Sequence, residues 1–245
     1  MTPSHADVII IGGGPAGCAA GISCAQNGLT VLMIAGKDAH DTSEIGPAES
    51  VHPGIETLLT ELNAAHCIHV ASRGVYDKIL VNSDYNYLGA DKQEIWQGHH
   101  IDRKLFDEAL LSCTTQQGVI LVADDAVEDI IINSGLPSEI ATKTGRNFTC
   151  TWLIDASGHK SVVGKKLGFK EEFYSSPLIV WTGISANISA NYSLLEKNTA
   201  RFIPHANGWT WLAPESSGSC TWTKLRVKGK QDFSPPEELD GSPLI

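Results

Sequence analysis

The stretch Ile11-Gly12-Gly13-Gly14-Pro15-Ala16-Gly17 ties a short apolar run to a longer run of small residues, and few folds accommodate that junction. Asp7 to Ile11 is apolar and bounded by glycine, the pattern of a fully buried strand. Pro15 to Gln26 carries Ala16, Cys18, Ala19, Ala20, Ile22 and Cys24 at helix-compatible spacing. Proline in the first turn and Gly28 just past the end bracket a helix between them. Thr30 to Ile34 is a second buried strand. Strand, helix and strand in immediate succession spell the parallel crossover unit.

Within that unit Gly12, Gly14 and Gly17 form a GxGxxG. Its position, straight after a strand and opening a helix, is the context a dinucleotide-binding turn requires. Gly14 lets backbone N–H groups approach a pyrophosphate, and Gly17 lets the helix pack close to the strand. The helix N-terminus adds partial positive charge facing the phosphates. The acidic residue expected at the tip of the second strand, for the ribose hydroxyls, is missing. Ala35, Gly36 and Lys37 stand there, and the first acid is Asp38. Asp38 or a backbone group would take the ribose, while Lys37 could contact a phosphate, including the 2′-phosphate of NADP.

Further along, Ile55 to Ala65 reads as a helix, and Gly74 to Asn82 as a short β-like run. Asp102 caps a helix reaching Gln117, and Gly118 ends it. Val119 to Val122 is a buried strand. Val127 to Asn133 and Phe148 to Ile154 are strands flanking a polar turn, and Lys160 to Leu167 is a short helix. From Pro177 the strands are rich in Trp and Thr: Leu178 to Ser185, Arg201 to Ile203, Gly208 to Ala213 and Ser219 to Val227. They predict a mostly antiparallel sheet. Residues 1–70 with 98–170 are expected to form one domain, and 71–97 with 171–230 another. Residues 231–245, with three prolines, read as a loop or disordered tail.

Composition narrows the partners. A net charge of −10 gives no general attraction to nucleic acid or to an anionic membrane. No run approaches the roughly 18 apolar residues of a membrane span, and Met1 to Asp7 is short and polar, unlike a signal peptide. Cys18, Cys24, Cys67, Cys113, Cys150 and Cys220 contain no CxxC pair. Neither a metal site nor a disulfide framework is expected, and a reduced, cytoplasmic setting is the simpler one.

Four features in one order make the chain resemble the large FAD-dependent oxidoreductase superfamily, from residue 7 to about 168. That group includes aromatic hydroxylases, geranylgeranyl reductases and flavin-dependent halogenases. The first feature is the glycine loop. The second is Gly46-Pro47-Ala48-Glu49-Ser50 with Pro53, similar to a segment these proteins place beside the flavin. The third is Ile101-Asp102-Arg103 with Phe106, Asp107 and Leu110, similar to an Arg-bearing helix. The fourth is Trp152 to Gly158, a strand ending in Asp155-Ala156-Ser157-Gly158. The resemblance implies an α/β fold: a Rossmann-like FAD-binding domain with an inserted or following, mostly antiparallel β-sheet substrate domain. It implies FAD held at Gly12, Gly14, Pro15, Ala16, Gly17, Ala35, Lys37, Glu49, Ser50, Arg103, Val127, Asp155 and Gly158. Plainer readings exist for some of these. Arg103 could pair with Asp107 on a helix surface, and Asp155 to Gly158 could be a capped strand-to-helix turn.

Gly208-Trp209-Thr210-Trp211-Leu212-Ala213-Pro214 resembles the Trp-x-Trp-x-x-Pro segment of the halogenases and their non-halogenating relatives. Strand alternation puts both indoles on one face, so Glu49, Trp209 and Trp211 are the pocket candidates; core packing is the other reading of the two indoles. The halogenases also need a lysine, near Gly74 to Asp77. Asp77 falls there, and Lys78 on a continuous strand would face the other way, so halogenation is not expected. The reading is an FAD-dependent oxidoreductase, monooxygenase-like, acting on an aromatic or other electron-rich substrate, small or protein-borne. NAD(P)H or a separate flavin reductase would supply electrons. One alternative is a flavoprotein that modifies a protein-bound tryptophan. Another is a non-catalytic, degenerate or truncated nucleotide-binding protein, favoured by Ala35 and by the lack of a Gly-Asp segment after Val227. The nine histidines show no spacing that selects a general base.

Overall fold

The computed structural model describes residues 2–36, 48–92, 94–133, 136–185, 196 and 198–228. Lys37, Asp38, Gly46, Pro47 and the expected tail at 231–245 lie outside the described residues. In chain order the elements are β1 (His5–Ile11), α1 (Pro15–Gln26), β2 (Val31–Ala35), β3 (Ala48–Val51), α2 (Gly54–Glu61), α3 (His66–Ala71), β4 (Ser72–Tyr76), β5 (Lys78–Val81) and β6 (Asp84–Tyr87). Next come β7 (Gly98–Asp102), α4 (Arg103–Gln116), β8 (Ile120–Ala123), β9 (Val127–Asn133), β10 (Leu136–Thr142) and β11 (Asn147–Asp155). A 3-10 turn at Gly158–Lys160 leads to α5 (Val162–Lys166), β12 (Leu178–Ser185), β13 (Thr199–His205), β14 (Gly208–Pro214) and β15 (Cys220–Val227).

They pack as two compact units. The first comprises Met1–Glu44, Leu62–Cys67 and Asp107–Glu172; the second comprises Ile45–Glu61, Ile68–Phe106 and Phe173–Ile245.

The first unit is built on a six-stranded sheet of order β8-β2-β1-β11-β10-β9. Its first four strands run parallel, with Ile9 opposite Leu32 and Leu153, and Met33 opposite Leu121. Ile9, Ile10, Leu32 and Met33 have no exposed surface. That explains the unbroken apolar runs: a parallel strand covered on both faces has no polar side to show. Each such burial stabilises by about 2 kcal/mol. Ile9, Leu32, Ile34, Val122, Ile140 and Phe148 cluster together in one core. α1 lies close to the sheet because Gly21 has no side chain; a Cβ there would be 3.3 Å from Met33 and 3.5 Å from Ile10.

In three places the local structure departs from the sequence expectation. The stretch between β9 and β11 is not a simple polar turn but holds β10, antiparallel to both. The run Gly74 to Asn82 is broken at Asp77 into β4 and β5, which belong to different sheets. The helix expected over Lys160 to Leu167 is interrupted at Ser161, whose φ of 42° is left-handed.

The second unit holds two sheets. The smaller has the order β3-β7-β4, all antiparallel, and β7 is buried at all five positions. The larger has the order β12-β15-β14-β13-β5-β6, antiparallel except for the parallel pair β13 with β5. Leu212, Cys220 and Trp222 form a buried cluster on it.

Candidate functional site

The glycine turn of the first unit is a tight interlock of strand ends. Gly12 donates its N–H to Ile34 O at 2.9 Å, and its φ is +114°. A Cβ on Gly12 would strike the Ala156 carbonyl, and one on Gly17 would strike the Gly12 carbonyl. Gly14 differs: nothing lies within 4 Å of where its Cβ would be. Pro15 opens α1, and no acidic side chain occupies the first turn. Pro15 and Gly14 are half-buried and Ala16 is exposed. The first-turn amides of a helix have no intrahelical acceptor. This end therefore offers free donors and a positive dipole to an open space, which fits a diphosphate.

Ala35 ends β2 with no exposed surface. A Cβ on Gly13 would lie 3.1 Å from its methyl group. Beside it Asp125 donates its amide to Ala35 O at 3.3 Å. The Asp125 carboxylate is wholly buried and pairs with Arg146 Nη2 at 2.9 Å. It accepts from Thr144 Oγ1 at 2.5 Å, Arg146 Nε at 3.1 Å and the Ala126 amide at 2.9 Å. Burial pushes its pKa up, but the hydroxyls of Thr144 and Thr142 and the amides of Ala126 and Thr144 outweigh that and hold it at about 2. Sequence reading missed this residue.

Val127 is half-buried and packs against the core of the first unit. Asp155, at the end of β11, is exposed and committed to its own loop. Its carboxylate accepts from the Ser157 amide and hydroxyl and from the amides of Val163 and Gly164, at 2.8 Å for Val163. Burial raises its pKa, but those donors outweigh it and lower it. Gly158 follows with φ +61° and open space around it.

Among the remaining candidates, Glu49, Ser50, Arg103, Trp209 and Trp211 all belong to the second unit. Both Glu49 carboxylate oxygens accept from Arg103 Nη1, at 2.8 and 2.9 Å. Trp211 Nε1 donates to Ser50 Oγ at 2.7 Å. Ser50 Oγ lies 2.8 Å from His100 Nδ1. An indole N–H can only donate, so Ser50 Oγ accepts from Trp211, and its remaining lone pair and its proton leave the direction of the bond to His100 Nδ1 to the imidazole tautomer. His100 is buried and stacked on Tyr76 at 4.8 Å. Burial, then the neighbouring His99, lowers its pKa to about 4, so it is neutral near pH 7. Trp209 packs on Phe202 at 5.8 Å. Ser50→Ala would leave the Trp211 N–H and His100 Nδ1 without a partner. A loss of about 2 kcal/mol is expected in denaturant unfolding, with Ser50→Thr largely sparing it.

Lys78 sits on β5, past the break at Asp77, so strand alternation with Asp77 does not set its direction. Its Nζ pairs with Glu196 at 3.2 Å and lies 5.0 Å from the Tyr85 ring. A pocket of about 330 Å³ also lies in the second unit, lined among others by His52, Pro53, Glu56, Asp91, Ile95 and Trp96.

Residues 7–177 match the family model of glucose inhibited division protein A, GIDA. The chain belongs to the GIDA family. Its fold is that of the FAD-binding, Rossmann-type flavoenzymes, and FAD is the cofactor that goes with it. A geranylgeranyl bacteriochlorophyll reductase-like protein of Thermoplasma acidophilum superposes with a TM-score of 0.75 at 18% identity, over 91% of this chain and 57% of that one. In sequence the chain is 25% identical to a flavin-dependent halogenase of Armillaria mellea, over 98% of this chain and 49% of that protein. It is 28% identical to a 1H-pyrrole-2-carbonyl-[peptidyl-carrier protein] brominase of Pseudoalteromonas luteoviolacea, over 86% and 52%. The chain spans about half the length of the curated relatives it matches. These relatives overturn the expectation against halogenation. That expectation rested on one residue position and on an unbroken strand through Asp77, which the fold does not contain. Among the described residues no helix is long and apolar enough to cross a membrane.

Proposed function

We propose that this member of the FAD oxidoreductases belongs to a flavin-dependent halogenase and acts on an electron-rich aromatic, either free or carried by a protein. The observation that carries the reading is the open, uncapped glycine turn at α1, taken with relatives named as halogenases. The redox chemistry, reduction of oxygen by the flavin ring, comes with the cofactor. The amides of Gly14, Ala16 and Gly17 would bind its diphosphate, with Pro15 fixing the turn and Gly12 and Ala35 shaping the space behind it. Lys37, Val127, Asp155 and Gly158 complete the proposed cofactor set in the first unit. In the second unit the Glu49–Arg103 pair and Ser50 would orient the ligand by charge and hydrogen bonding. Trp209 and Trp211 would hold an aromatic substrate and exclude water. The hydrogen bond to Ser50 fixes the Trp211 ring, so its wall is rigid. The pocket of about 330 Å³ beside Pro53 is lined by Trp96 rather than by either of these indoles, and would be a separate place for a small ligand.

The test supplies protein with FAD, a flavin reductase with NADH, bromide, and either a phenol or a carrier-bound pyrrole. A brominated product in the mass spectrum is expected. FAD-loaded protein that yields peroxide and no brominated product with either substrate overturns the proposal. Trp211→Ala should lower product formation by roughly 100-fold while FAD stays bound, because misplacing a bound ring by about an ångström costs that much.

A further inference from the structure

We propose that His66, Cys67 and Cys113 form a binding site for a thiophilic d10 cation of the Zn²⁺ class. All three belong to the first unit. His66 and Cys67 open α3, and Cys113 lies in the last turn of α4. One ligand atom from each lies within 4.8 Å of the other two. His66 Nε2 is 3.7 Å from Cys67 Sγ. Metal bonds of about 2.3 Å to sulfur and 2.0 Å to nitrogen in a tetrahedral site put that edge at roughly 3.5 Å, so a small rotation of the exposed imidazole closes it on an ion. The ligand types suit the same ion: thiolate sulfur with imidazole selects soft or borderline cations.

The surroundings carry the argument further. Gln117 Nε2 donates to Cys113 Sγ at 3.2 Å. The same amide is held in place at both ends. Its nitrogen also donates to Leu62 O at 2.8 Å, and its oxygen accepts from Gln26 Nε2 at 3.0 Å. A fixed N–H aimed at sulfur is what a metal-bound thiolate needs from its neighbours. Cys113 Sγ lies 3.6 Å from Asn63 O, an acceptor for the thiol proton when no metal is present. Asn63 holds a left-handed φ of 52°, so the turn that presents this carbonyl is specific. Cys67 and Cys113 are buried while His66 is exposed. The imidazole therefore marks the way in and leaves a fourth position for water. Binding exchanges two thiol protons for one divalent ion with no change of oxidation state.

Reduced, chelator-stripped protein is titrated with Cd²⁺ and followed by its ultraviolet sulfur-to-metal charge-transfer band. Saturation at one ion per chain, displaced by Zn²⁺, is expected. Cys67→Ser and Cys113→Ser should each abolish the band, with circular dichroism checking the fold. His66→Ala touches an exposed ring and should weaken binding tenfold or more. Gln117→Leu should weaken it by about tenfold, and Cys24→Ser should leave it unchanged. Undiminished binding in His66→Ala or in either cysteine variant overturns the assignment. So does a titration without saturation, or isolation of the protein as a Cys67–Cys113 disulfide.

Discussion

Gly17→Ala is expected to cost on the order of 3 kcal/mol of stability and to abolish FAD retention, whereas Gly14→Ala keeps the fold and loses only the cofactor. The asymmetry follows from what each new methyl group would meet. At position 17 it falls on the Gly12 carbonyl and stands 3.4 Å from the Ala156 methyl, both on backbone that other strands hold in place. Relief requires β1, α1 and the loop after β11 to move apart. Gly12→Ala should behave alike, since a side chain at φ +114° is strained before it reaches Ala156. At position 14 the backbone is ordinary, with φ −77° and ψ −179°, and the space is empty. The apo stability of that variant should stay within about 0.5 kcal/mol of the parent. Its flavin content after purification should drop, because the methyl fills the space into which a diphosphate would come. Thermal unfolding with and without added FAD separates the two outcomes. Equal FAD-induced stabilisation of parent and Gly14→Ala would refute the role given to this turn.

Asp125→Ala is expected to destabilise the first unit by about 3 kcal/mol, although no comparison of motifs points to this residue. Its buried carboxylate joins the β8–β9 connection to the turn between β10 and β11. Removal takes the acceptor from the amides of Ala126 and Thr144 and from Arg146, and leaves a cavity where the buried carboxylate was. The pH dependence carries a second signature. The pKa is about 2 in the folded chain against an ordinary 3.8. A group depressed in this way contributes stability that is complete above 3.8 and disappears as pH falls towards 2. The contribution is about 2 kcal/mol. Asp125→Asn should therefore flatten the acid limb of the stability curve between those two values. An unchanged acid limb in that variant would contradict the assignment.

The parallel half of the first sheet is legible from residues alone because two strict patterns coincide there. Strands covered on both faces read as continuous apolar runs, and the helix between them has proline at its start and Gly28 past its end. β10 escapes notice for a physical reason. Leu136-Pro137-Ser138-Glu139-Ile140-Ala141-Thr142 contains a proline and no continuous apolar run, so its strand character comes from the hydrogen-bonding partners on either side. The break at Asp77 is equally invisible, because the residues on each side favour strands. What separates them is the pairing of β4 with β7 and of β5 with β13, contacts distant in sequence. At the site, Ser50 and Trp211 could each be singled out by motif, but His100 could not. Its importance comes from the cross-strand pairing of Ser50 with His100, which no spacing rule encodes. The same holds for Cys67 and Cys113, which meet only when α3 and α4 are in place.

The start of α1 has a further consequence for how such proteins diverge. On the proposed reading, recognition there would rest mainly on main-chain amides, so a single side-chain substitution outside the glycines would weaken it little. The contact is inherited with the backbone path. Lineages that share only a quarter of their residues can thus keep one way of gripping a nucleotide while every surrounding side chain drifts. Under the proposed function, selection on the reaction would then be free to act on the other unit, where side chains would do the discriminating.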